Sequence, residues 1–97
     1  MAVRFDWDAR KNAANLRRHR VSFEEASSVF YDEHAILIDD PEHSLAEERF
    51  VLLGSSSAFR LLVVCHCYRK NAEVIRIISA WKADRRERRD YFERFEP

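Results

Sequence analysis

Apolar and polar positions alternate along the first seven residues, Val3, Phe5 and Trp7 against Ala2, Arg4 and Asp6. That period of two predicts a half-buried strand. Asp8 then supplies a cap for a helix running to about His19, with Ala9, Ala13 and Leu16 expected on its inner side. Ser22-Phe23-Glu24-Glu25 has the spacing of a capping box and predicts a second helix, buried through Phe23, Ala26, Val29 and Phe30. Beyond it the pattern becomes that of strands. Ile36 and Ile38 mark a short one before the turn Asp39-Asp40-Pro41, and Arg49 to Leu53 a second that closes on Gly54-Ser55-Ser56-Ser57. Phe59 to Tyr68 and Val74 to Trp81 are apolar on both faces and should lie centrally in the sheet. Their short connections favour an antiparallel meander. Asp84 and Glu87 open a last helix with Arg88, Tyr91, Phe92 and Phe95 along one side. The predicted order is β-α-α-β-β-β-β-α. This is an α+β fold, two N-terminal helices and a C-terminal helix packed on a mainly antiparallel sheet.

Composition narrows the class. The 97 residues suffice for a single domain, 1–97, and a hydrophobic content of 46% supplies one modest core. No apolar run approaches the ~20 residues that span a bilayer, and no secretory leader opens the chain. A cytoplasmic location without a membrane partner is expected. Cys65 and Cys67 stand two apart on one strand face, a poor arrangement for a disulfide, and two thiols are too few for a structural zinc site. They read as reduced core residues, with no metal site and no cofactor expected.

The net charge of zero conceals an uneven layout. Residues 1–20 carry six Lys/Arg against two acids, residues 21–50 one against nine, and residues 51–97 ten against six. An acidic band between two basic ends suits one anionic and one cationic partner; an ion-paired surface without function is the plainer reading. Phosphate loops, nucleophile elbows and zinc-helix motifs are absent. What remains is a set of cations and one imidazole on the last two strands and last helix: His66, Arg69, Arg76, Lys82, Arg85, Arg86 and Arg89. Such a set suits metal-independent RNA cleavage, in which the ribose 2′-hydroxyl attacks the adjacent phosphate. Fixed cations stabilise the charge that gathers in the transition state, and an imidazole or amine moves the protons.

Each residue also has a structural reading. Arg76, between Ile75 and Ile77, is either at an open face or paired. A strand histidine such as His66 commonly serves as a hydrogen-bonded packing residue. The arginines of the last helix form a solvated face if Arg86 pairs with Asp90 and Arg89 with Glu93. Asn15 and His19, one helical turn apart, bracket a ligand or else His19 simply closes the helix end. Trp81 stacks on a base or packs in the core.

Several spaced elements resemble the BrnT family. They begin with Phe5-Asp6-Trp7-Asp8, Lys11, Asn15, Arg18-His19, Val21-Ser22-Phe23-Glu24-Glu25-Ala26 and Val29-Phe30. They continue through Asp39-Asp40-Pro41-Glu42-His43-Ser44, Glu47-Glu48-Arg49-Phe50, Gly54, Arg60-Leu61-Leu62-Val63-Val64, Arg69, Arg76-Ile77-Ile78-Ser79-Ala80 and Glu87-Arg88. The resemblance implies a RelE-like fold and the ribonuclease toxin of a type II toxin–antitoxin pair, cleaving RNA and inhibiting translation. It further implies neutralisation by a BrnA-like ribbon-helix-helix antitoxin in a 2:2 heterotetramer. Operator DNA would be reached only through the antitoxin, with which the toxin co-represses the operon. On that basis His66, Arg69, Arg76 and Lys82 are the catalytic candidates, and Arg85, Arg86, Arg89 and Trp81 the RNA-binding ones. An acidic or aromatic antitoxin segment would lie over Arg69, Arg76, Arg85 and Arg86.

Two departures qualify the match. The family's His-Gly at the end of the first helix reads His19-Arg20, which is harmless if that cap is not left-handed. Its Ile-Ser-Ala-Arg reads Ile78-Ser79-Ala80-Trp81, so an aromatic replaces a cation, with Lys82 directly after it. The second departure keeps an alternative open, a non-catalytic toxin-like module that retains antitoxin binding.

Overall fold

A computed structural model of the chain describes residues 3–38 and 48–95. The expected Asp39-Asp40-Pro41 turn and four of the nine acids of the acidic band lie outside them. The elements are β1 (Arg4–Asp6), α1 (Ala9–His19), α2 (Phe23–Ser28), β2 (Ile36–Ile38), β3 (Phe50–Ser55), β4 (Leu61–Arg69), β5 (Val74–Lys82) and α3 (Arg85–Phe92). Short 3-10 turns follow α2 at Val29–Tyr31 and α3 at Glu93–Phe95. The α+β order expected from the sequence is observed. The strands form one sheet, β1-β5-β4-β3-β2, antiparallel except where β1 joins β5 in parallel. Central placement explains why β4 is apolar throughout: Leu61 to Cys67 are all buried. Phe59, expected to begin that strand, instead sits 93% exposed in the preceding turn.

Each face of the sheet has its own core. On one, Val21, Phe23, Ala26 and Val29 pack against Leu62, Val64, Ile77 and Ala80. On the other, Val51, Leu53, Leu61 and Val63 meet Tyr91 of α3, with Trp81 packed alongside. Burying each large side chain stabilises the fold by roughly 1.5–3 kcal/mol. Gly54 lies where the 3-10 turn after α2 meets β3, and a Cβ there would come 2.9 Å from both Ala35 Cβ and Val29 Cγ1. The contact needs a residue without a side chain.

The first helix reverses its expected orientation. Ala9, Ala13 and Leu16 face solvent, and the inward residue is Asn15, 7% exposed. Nδ2 of Asn15 donates to the carbonyls of Val21 (2.9 Å) and Ala80 (2.8 Å), and its Oδ1 accepts from Ala80 N–H (3.2 Å). Asn12 Oδ1 accepts the Phe23 N–H at 2.9 Å. Beyond residue 76 no strand among the described residues pairs with the β1 side of β5, and α1 covers that edge through polar bonds. An apolar inner stripe is therefore not needed.

Helix ends also differ in detail. Ser22 Oγ accepts the Glu25 N–H, but the Glu25 carboxylate does not complete the box. It binds Arg60 through two hydrogen bonds and accepts from Ser56 Oγ at 2.7 Å, while Arg60 also donates to the Arg20 carbonyl at 2.9 Å. Reciprocal capping occurs instead at α3, between Asp84 and Glu87. Arg20 ends α1 in a left-handed conformation, φ 60° and ψ 32°, so the cap that suits glycine is occupied by arginine. The turn joining β4 to β5 is left-handed at Lys70, Asn71 and Ala72 in succession. Such a conformation costs an ordinary L-residue about 1–2 kcal/mol, less for Asn.

On α3 only Tyr91 of the expected stripe is buried; Phe92 is 49% exposed beneath the Arg88 guanidinium, and the Phe95 side chain lies outside the described residues.

Candidate active cleft

The site begins with a fault in the alternation of β5. Arg76 pairs with Cys67, Ser79 with Cys65 and Trp81 with Val63, while the ladder shifts register between Cys65 and His66. Ile78 is the extra residue, a β-bulge. Because Val63, Cys65 and Cys67 share a face of β4, Arg76, Ser79 and Trp81 share that face of β5. Without the bulge Arg76 and Trp81, five positions apart, would point to opposite sides.

Asn15 holds α1 against the same stretch of β5. Lys11, Arg18 and His19 then line a cleft of about 210 Å³ with Ile78 and Ser79. The His19 ring lies 6.3 Å from Trp81, which is itself half-buried. Further along β5, Arg76 Nη1 donates to Asp6 Oδ1 at 2.7 Å. The Asp8 carboxyl sits below its ordinary range, chiefly because it accepts the Lys11 and Arg10 backbone N–H groups, with the Lys11 and Arg76 charges adding to the effect. Lys11 and Arg76 therefore flank the junction of β1 and α1. An imidazole, two cations and a hydroxyl line one open groove, with Arg76 beside it, an arrangement that receives an anion.

The expected catalytic set does not assemble as one site. His66 is fully buried, its ring packed edge-on to Phe30 at 4.7 Å and Tyr68 at 5.3 Å, with Phe50 beyond. Its Nδ1 is 3.2 Å from the Val64 carbonyl, and burial pushes its pKa down. His66 stays neutral and out of contact with solvent. Arg69 stands opposite Val74 at one end of β5, and Lys82 ends the strand eight residues later, about 26 Å away at ~3.3 Å per residue. Lys82 also pairs with Leu62, on the face opposite Trp81, where its charge helps lower the Glu25 carboxyl; the Arg60 hydrogen bond is the main cause of that lowering. None of the four lines the cleft; Arg76, bound to Asp6, lies beside its Lys11 end.

Arg85, Arg86 and Arg89 are exposed on α3. Neither Arg86 with Asp90 nor Arg89 with Glu93 forms an ion pair among the described residues. Two cations in the first turn run against the helix dipole, offset there by the Asp84–Glu87 box. Lys11 and Arg18 are not among the site residues the sequence singles out, and His19 enters there only with Asn15, as a ligand bracket or a helix end. Their positions, with Asn15, follow i, i+4, i+7 and i+8, a single helix face. That signal was in the sequence, obscured by the assumption that Ala and Leu point inward.

Residues 7–87 match the family described as "Ribonuclease toxin, BrnT, of type II toxin-antitoxin system". The chain belongs to the BrnT family. The match runs from Trp7 to Glu87 and so includes every residue of the cleft. The fold is similar to that of the Brucella abortus ribonuclease toxin BrnT, known from a crystal structure, with a TM-score of 0.66 and 16% identity over 87% of this chain and 100% of that one. No curated protein sequence matches. The BrnT assignment thus rests on the family match, with the fold in agreement. No helix among the described residues is long and apolar enough to cross a membrane.

Proposed function

We propose that the α1–β5 cleft cleaves RNA by internal transesterification and needs no metal ion. The observation that carries this reading is the convergence of Lys11, Arg18 and His19 on Ser79 in one groove, with Arg76 alongside. His19 accepts the proton of the ribose 2′-hydroxyl as its oxygen bonds to phosphorus. The bond from phosphorus to the 5′-oxygen breaks, and that oxygen takes its proton from Lys11. The products are a 2′,3′-cyclic phosphate and a 5′-hydroxyl. Arg18 and Arg76 offset the charge on the phosphoryl oxygens, and Trp81 offers a face for base stacking. His66 serves packing, and Lys82 lies outside the reacting centre.

Translation inhibition in the cytoplasm follows from cleavage of RNA in use there. Restraint by a BrnA-like ribbon-helix-helix antitoxin, in a 2:2 assembly that represses the operon through the antitoxin's DNA contacts, completes the proposal. The exposed Arg85, Arg86 and Arg89, without carboxylate partners among the described residues, suit an acidic antitoxin segment that speeds encounter. Changing Arg85 and Arg86 together to Glu should slow association and remove its salt dependence.

The decisive experiment incubates the purified chain with a single-stranded RNA oligonucleotide in EDTA. Cleavage to cyclic-phosphate ends is expected, falling at least 100-fold in His19→Gln. Cleavage that requires added metal, or that survives His19→Gln, would overturn the assignment. One observation favours a second reading: Trp81, half-buried beside His19, stands where the resemblance expects Arg, so one cation fewer stands next to the cleft. A chain that binds its antitoxin and leaves RNA intact under every condition would be the non-catalytic module.

A further inference from the structure

A second group of cations lies away from the cleft. Arg4, Arg69 and Lys70 line a separate depression of about 150 Å³ with Phe5, Asp6 and Val74. Arg4 and Arg69 both pair in register with Val74, one on each side, so they flank it on the sheet face that also carries Arg76, Ser79 and Trp81. The single carboxylate in the lining, Asp6, is bound by Arg76. The depression is therefore electropositive. Glu73, exposed in the adjoining turn, takes part through its backbone: its carbonyl accepts the Arg4 N–H at 3.2 Å, and its N–H donates to the Lys70 carbonyl at 3.1 Å.

The turn itself points to use. Lys70, Asn71 and Ala72 all have positive φ, at 52°, 57° and 69°, and none is glycine. A turn of this kind is strained, and strain kept in a lysine beside two arginines marks a place where the side chain matters more than local comfort. The turn closes from Lys70 to Glu73 and sets Lys70 directly beyond Arg69, on the rim of the depression.

We propose that Arg4, Arg69 and Lys70 form a second phosphate subsite for the same RNA strand whose scissile bond lies in the α1–β5 cleft. The inference rests on the cleavage reading above and extends it to substrate length. Five residues of β5 separate Val74 from Ser79, about 13–16 Å at ~3.3 Å per residue. A single strand crosses that span in roughly two to five nucleotides, given a stacked rise of ~3.4 Å each and more when extended. Arg76 lies between the two ends on the same face. A duplex offers no such flat, narrow path, so single-stranded RNA several nucleotides long is the preferred substrate.

The test uses the full chain, an oligonucleotide of about twelve nucleotides and a dinucleotide, with an uncleavable 2′-deoxy version of the long one for binding. Arg69→Gln combined with Lys70→Gly removes two charges, and glycine relieves the turn, so loss of fold cannot account for loss of binding. The long RNA should bind about 10-fold more weakly, with the slope of log affinity against log salt reduced by about 1.4 for two lost contacts. The dinucleotide should be cut as before. Unchanged long-RNA binding and salt slope would overturn the subsite, as would equal losses on both substrates. Weakened antitoxin binding with RNA binding intact would also overturn it, making the depression a protein contact. Because binding is read on uncleavable RNA, a failure of the His19 assignment leaves this measurement standing.

Discussion

Asn15 closes the edge of β5 by bonding both backbone groups of Ala80, donating to its carbonyl at 2.8 Å and accepting its N–H at 3.2 Å. One side-chain amide thus takes the place of a neighbouring strand. Asn15→Ala leaves Ala80 and the Val21 carbonyl without partners in a buried setting, at a cost of about 2–4 kcal/mol. Urea denaturation should show that loss. Cleavage should fall even where the protein remains folded, because α1 carries Lys11, Arg18 and His19. A variant of ordinary stability would show that water replaces the amide without penalty.

Arg20→Gly should stabilise the chain by about 0.5–1 kcal/mol, since Arg20 occupies a left-handed cap. The bond from Arg60 to position 20 uses the backbone carbonyl and survives the change. The check is a higher denaturant midpoint with an unchanged slope.

These two residues show where the sequence was legible and where it was not. Element order, strand centrality and the caps at Asp8, Ser22 and Asp84 follow from local periodicity and hydrogen-bonding chemistry, and each is present. The inner face of α1 was misassigned because it docks on a sheet edge, where unpaired peptide groups make Asn more useful than Leu. The proposed site was dispersed for a related reason. Arg69 and Lys82 are near in sequence to the same hairpin, yet antiparallel pairing carries them to opposite ends of it. His66 looked accessible because a strand pattern reveals parity, whereas the aromatic residues that enclose it come from distant segments.

Stability should fall as pH drops below about 6.5, the ordinary histidine value. Burial depresses the pKa of folded His66 below the ordinary 6.5, so the unfolded chain binds the proton first. His66 thus contributes full stability above its unfolded pKa and loses it as pH drops toward the folded one. Melting temperature against pH should show this slope, and His66→Phe should flatten it within that window. The depressed carboxyls of Glu25 and Asp32 act lower, as pH falls below about 4, and keep the two effects apart.

Tyr91→Phe should cost about 1–3 kcal/mol, because its hydroxyl donates to Asp32 Oδ2 at 2.6 Å and the carboxylate is left under-satisfied. That bond joins α3 to the turn after α2. Burial, followed by Asp32, raises the Tyr91 pKa to about 12. In a spectrophotometric titration Tyr91→Phe should remove the last tyrosine to ionise, and hydrogen exchange of α3 should quicken. An early-titrating tyrosine lost instead would show the hydroxyl to be free.

Trp81→Arg places a cation beside His19 at the cost of packing against the core under α3. A half-buried Trp should lose about 1–3 kcal/mol, less than the ~3–5 of a fully buried one. RNA binding should gain about 0.7 in its salt slope from the added charge. Growth arrest on expression without antitoxin should deepen; unchanged arrest with lower stability would make Trp81 a packing residue alone.

The bulge at Ile78 also constrains how this strand can vary between relatives. Removing that residue would regularise the ladder without moving any later side chain to the other side, because Ser79 would follow Ile77 directly and still meet Cys65. Arg76 and Trp81, then four positions apart, would share their face by plain alternation. Relatives can therefore keep this face in two ways, a bulged strand with five positions between these residues or a regular one with four, whereas a regular strand that kept all five would turn Trp81 to the α2 side. The strand has a phase as well as a composition.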